Sequence, residues 1–93
     1  MSLASRLATL EWAVQTAERQ SRELQVLAEV PESGSMSALF HEAEVLEVSC
    51  TDTLLELDVL LDALEVRQPV RALMDRMHAV AATLGAVKMA ARG

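Results

Sequence analysis

His41 and Glu44 stand three residues apart, a spacing that on a helix turns an imidazole and a carboxylate to one side and can aim both at a single metal ion. A closed metal site needs four ligands, and no second His/Glu pair mirrors this one. The expectation is therefore no metal and no other cofactor. Cys50 is the sole cysteine. It has no internal disulfide partner, and within an apolar repeat a thiol behaves as a small hydrophobe rather than a nucleophile. His78 has Asp75 three residues before it and no cysteine beside it, so it reads as a surface or boundary histidine. With aromatic residues at 2% and no convergent polar set, the sequence points away from catalysis, which needs such groups in a concave pocket.

Charge is the stronger signal. Split after residues 30 and 65, the chain carries four acidic and three basic residues, then nine and none, then one and five. Glu44, Glu47, Asp58, Asp62 and Glu65 fall on one face of a helix, away from its apolar stripe. That face is either solvated or an acidic docking surface for a Lys/Arg-lined partner. Arg67, Arg71, Asp75 and His78 form a polar row farther along, which either extends such a surface or pairs within the fold. Trp12 lies off the apolar stripe of its own segment and either caps one end of the fold or anchors a partner, since Trp is enriched at interface hot spots. The net charge of −6 argues against binding nucleic acid through phosphate neutralisation.

These groups need elements to hold them. Ninety-three residues suffice for one hydrophobic core, so the chain reads as a single domain, 1–93. With 52% apolar and 24% charged residues, three Gly and two Pro, it is too apolar for disorder and too poor in turn formers for a β-sandwich. Leu3, Leu7, Leu10, Val14, Ala17, Ser21, Leu24 and Ala28 repeat at alternating spacings of four and three, which predicts a helix over 3–29 with Ser2 as its N-cap. The cluster Pro31-Glu32-Ser33-Gly34-Ser35 is a turn signal. Leu39, Ala43, Leu46, Cys50, Thr53, Leu57, Leu60 and Leu64 predict a second helix over 36–64, capped by Ser35 or Ser37. Its further apolar residues, Met36, Phe40, Val48, Leu54, Leu55, Val59 and Leu61, suggest that it touches two neighbours.

Val66, Val70, Leu73, Met77, Val80, Leu84 and Val87 predict a third helix over 68–91. Pro69 is the only breaker before it, which places the break within 64–68, with a single kinked helix over 36–91 as the rival. Gly85 inside this helix costs roughly 1 kcal/mol. The expected fold is all-α, an antiparallel up-down-up three-helix bundle with coiled-coil-like heptad packing. The longest uncharged run, Met77 to Val87, is far shorter than the roughly 20 residues a membrane span requires. With no basic-then-apolar leader and a lone cysteine, a cytoplasmic location is expected. The function expected from these features is a non-enzymatic interaction module, an adaptor or small chaperone subunit that covers its apolar excess by homo-oligomerisation or with a protein partner.

Leu54-Leu55-Glu56-Leu57-Asp58, followed by Val66-Arg67-Gln68, Val70-Arg71 and an aliphatic run at helical spacing, resembles the second half of the BAG domain over residues 39 to 88. That family is a three-helix cochaperone module whose second and third helices grip the nucleotide-binding domain of Hsp70 and promote nucleotide release. The resemblance implies that Asp58 matches the acidic contact at the end of the second helix and Arg71 the arginine of the third, with one gap at Pro69. His78 stands near the polar residue a turn or two on. The family's earlier acid falls at Val48 in this sequence, with Glu47 beside it, and the basic face thins after Arg76.

Overall fold

Ser2 opens the first helix. Its backbone is extended (φ −74°, ψ 161°), and its hydroxyl accepts from the Ser5 amide at 3.1 Å, satisfying one of the donors that a first helical turn leaves without a partner. The helix that follows, α1, spans Leu3–Glu29; α2 spans Met36–Leu60 and α3 spans Arg67–Arg92. The computed structural model describes residues 2–30 and 36–92, and no strand occurs among them. The turn expected at 31–35 and the Ser35 cap lie outside the described residues.

Each helix buries a row spaced by fours and threes. Leu10, Val14, Ala17, Ser21 and Leu24 come from α1. Leu39, Ala43, Cys50, Thr53, Leu57 and Leu60 come from α2. In α3 the row is complete from Val70 to Val87. All three helices contact one another and lie side by side within 47 × 17 × 16 Å. The two buried hydroxyls are satisfied locally: Ser21 donates to the Glu18 carbonyl at 2.9 Å and Thr53 to the Ser49 carbonyl at 3.0 Å. Such bonds make small polar residues tolerable in a helical core.

The break between α2 and α3 comes earlier than its expected place. The second helix was expected to reach residue 64 and stops at Leu60. Leu61 and Ala63 donate back to the carbonyls of Asp58 and Leu60 at 3.1 Å each, tightening the end, and Ala63 is extended (φ −86°, ψ 109°) before a single 3-10 turn, Leu64–Val66. Arg67 then donates its Nε to the Leu61 carbonyl at 2.9 Å, taking up an acceptor that the finished helix leaves free. Pro69 sits in the first turn of α3, where a missing N–H costs nothing. Asp62 and Glu65 are consequently not part of the α2 face, and Leu64 is exposed rather than in the core row. The single kinked helix is excluded by the same segment.

Among the described residues, two ion pairs join the helices. Arg76 grips Glu18 with two donors, Nε at 3.0 Å and a terminal nitrogen at 2.6 Å, and this hydrogen bonding, with the guanidinium charge, holds the Glu18 carboxyl below its ordinary pKa. A carboxyl lowered in the folded state stabilises above its unfolded pKa, and the contribution disappears as pH falls through the lowered value. Both side chains remain partly solvated, at 40% and 26% exposure. Glu18→Gln should therefore cost less than about 1 kcal/mol at neutral pH and nothing in strong acid, as denaturant titrations at the two pH values would show. The second pair, Lys88 with Glu47 at 2.8 Å, joins α3 to α2, and Lys88 and Arg92 also stand over the Phe40 ring at 5.2 and 5.4 Å.

Gly85 is the one glycine inside a described helix, and a methyl group there would meet nothing within 4 Å. Gly85→Ala is expected to stabilise the protein by about 0.5–1 kcal/mol, through the lost freedom of the unfolded chain. A thermal melt measures it.

Candidate protein-docking face

The second helix is apolar on two opposite sides, and only one of them is covered. At about 100° per residue, the row Val45, Val48, Asp52, Leu55 and Val59 falls roughly opposite the buried row of α2. Val45, Val48, Leu55 and Val59 are each more than half exposed. A helix that is hydrophobic all round belongs in an interior with neighbours on every side. Here α1 and α3 occupy one side only. Full burial of a Val or Leu side chain contributes about 1.5–3 kcal/mol, so four of them in line over about 21 Å of helix form a surface with a strong tendency to be covered.

The spacing of this outer row is three, four, three, four, the heptad seam of a two-helix contact. Written as a heptad, Val45, Asp52 and Val59 take the a positions, and His41, Val48 and Leu55 the d positions. The flanking e and g positions are Glu42, Ser49 and Glu56 on one side and Glu44, Thr51 and Asp58 on the other. No lysine or arginine occurs anywhere in residues 31–65. Grooves border the seam on both sides. One lies between α1 and α2 with Leu24, Glu42 and Val45 in its walls, and the other between α2 and α3 with Glu44, Val48 and Ala81.

The residues singled out by sequence distribute as follows. Glu44 and Asp58 are exposed along one flank of the outer seam, and Glu47 is drawn to the side by Lys88. Asp62 lies in the turn after α2. Arg67 is half-buried on the Leu61 carbonyl. Arg71 and His78 are exposed on the outer side of α3, and Trp12, 66% exposed, on the outer side of α1. Because each helix touches the other two, these three outer sides point away from one another. Trp12 therefore stands apart from the α2 acids, whose flank borders α3 through Glu47 and Lys88 and the groove shared by Glu44 and Ala81. So open an indole does not seal an end of the fold.

No family model, curated protein or solved structure matches the chain. The face has to be read from its own chemistry. Val45 and Asp52 are the residues that the sequence reading passed over. The signal was present: Val45, Val48, Asp52, Leu55 and Val59 form a heptad series of their own, out of phase with the core row. Val48, Leu55 and Val59, expected to widen the buried face, lie opposite it, whereas Met36, Leu54 and Leu61 pack half-buried against the core and Phe40 lies half-buried under Lys88 and Arg92. Among the described residues no group of three or more His, Cys, Asp or Glu could hold a metal ion, and no helix is long and apolar enough to cross a membrane.

Proposed function

We propose that this chain is a non-enzymatic helical interaction module, an adaptor or small chaperone subunit, that presents the outer side of α2 to another polypeptide. The observation that carries this reading is a helix apolar on both sides with neighbours on one. An antiparallel up-down-up bundle with heptad packing is the scaffold we assign to it. Its support lies in which residues meet: Leu24 shares a groove with Val45 and Leu10 one with Glu56, while Phe40 meets Arg92 and Cys50 shares a groove with Ala81. In such a scaffold the core supplies rigidity and the exposed seam supplies recognition.

A photo-crosslinking residue placed at Val48 in the native host is expected to trap one discrete product, and the same residue at Ala86, exposed on α3, none. Equal labelling from both positions, or none from either, would remove the reading. A second reading is a BAG-like cochaperone that promotes nucleotide exchange on Hsp70. It is favoured by the exposure of Asp58, Arg71 and His78, the residues on which that likeness depends. Accelerated ADP release from Hsp70, abolished by Asp58→Ala, is its expected outcome, and unchanged release rates dismiss it.

A further inference from the structure

We infer that the outer seam of α2 docks a basic amphipathic helix of another polypeptide, apolar along its own seam and carrying Lys or Arg on both flanks. This rests on the reading of that side as a docking face and adds the chemistry of what docks there. Charge complementarity decides it. In a two-helix contact the e and g positions set partner choice, and like charges across them are unfavourable. On α2 these positions hold Glu42, Glu44, Glu56 and Asp58 with two neutral residues and no cation. A second α2 laid antiparallel would set Glu42 against Glu56 and Glu44 against Asp58, and one laid parallel would bring the two Asp52 carboxylates together in the seam.

Nor does the rest of the chain offer a uniformly basic helix to a second copy: the three arginines of α1 stand among four glutamates, and among the described residues of α3 Arg71 is the one exposed cation outside an ion pair, a carbonyl contact or the Phe40 ring. Arg76 is engaged by Glu18, Lys88 by Glu47, and Arg67 by the Leu61 carbonyl, while Arg92 stands over Phe40. The cations of α3 are thus largely committed inside one molecule. Asp52 sharpens the inference. It occupies an a position midway along the seam, between Val48 and Leu55, and is exposed. When a helix covers that row, an apolar residue opposite would bury an unpaired carboxylate, whereas a lysine or arginine gives it a partner. The docked helix therefore carries a cation at one central seam position as well as along its flanks. A single polar a-position residue of this kind fixes register at some cost in affinity.

The test uses the full chain and a synthetic peptide of about three heptads, with Leu at a and d, Lys at e and g, and one central Lys at a, against the same peptide with Glu at e and g. Fluorescence anisotropy should show binding of the Lys peptide only, weakened roughly tenfold or more between about 0.1 M and about 1 M salt. Leu55→Asp, with its helical circular dichroism intact, should weaken binding at least about tenfold, and Trp12→Ser should not. Asp52→Val should reverse the preference at the central position, favouring a peptide with Leu there. Equal binding of both peptides overturns the inference, as does a dimer of the chain alone that Leu55→Asp abolishes. Failure of the Lys peptide while the Val48 crosslink persists overturns the basic partner and leaves the docking face standing; failure of both removes the two together.

Discussion

Leu57→Ala should lower the stability of this protein by about 2–5 kcal/mol, the largest single-residue loss expected from an uncharged substitution in α2. Leu55→Ala, two positions away, should change it by less than about 0.5 kcal/mol. The pair is a sharp comparison because residue type and helix are the same. Leu57 is fully buried, whereas Leu55 is 61% exposed. Truncating Leu57 removes its transfer free energy and leaves a cavity among close-packed neighbours; truncating Leu55 removes methyl groups already facing water. A domain of this size has about 5–15 kcal/mol of stability in total, and at about 4–8 °C per kcal/mol the Leu57 variant should melt on the order of 10–40 °C lower. Calorimetry of the two variants decides the matter. Equal losses would mean that the outer side of α2 is covered in the free protein, and the docking face would go with it.

That comparison also marks where the sequence is readable and where it is not. Local chemistry is readable. The Ser2 cap and the whole core row of α3 follow from residue type and spacing, because both depend on contacts within one or two turns. The end of α2 is less so. No glycine announces it, and it is made by backbone bonds at Leu61 and Ala63 and by the reach of Arg67 to the Leu61 carbonyl, none of which leaves a pattern in the sequence. The core row of α2 is where the sequence puts it, and the second row is the instructive failure. Two heptad series run along this helix, Leu39-Ala43-Leu46-Cys50-Thr53-Leu57 and Val45-Val48-Asp52-Leu55-Val59, and periodicity alone does not say which faces inward. Side-chain chemistry does. Ala43, Cys50 and Thr53 are small enough to let two other helices approach, and Thr53 can satisfy its hydroxyl on its own helix. Asp52 offers a charge that no interior group would neutralise. A single carboxylate therefore assigns the second row to the outside, and with it Val48, Leu55 and Val59, which spacing alone sets beside the core row.

Cys50 should react with a small thiol reagent at least about a thousandfold more slowly in the folded protein than in the unfolded chain. It is 2% exposed, and desolvation, followed by the nearby Glu47 charge, pushes its thiol above the ordinary pKa, so little thiolate is present and almost none can be reached. Modification then requires the helices to part, and its rate reports that opening. This makes the thiol a discriminating probe of docking. A partner that settles on the outer seam touches the opposite side of α2 and leaves the core closed; by binding only the folded state it should hold Cys50 equally protected or slow its labelling further. A partner that instead displaces α1 or α3 and takes over their place against the core must expose Cys50 on the way, and labelling should accelerate. Adding the Lys peptide to the labelling reaction separates the two, because outer docking and helix exchange move the same rate in opposite directions.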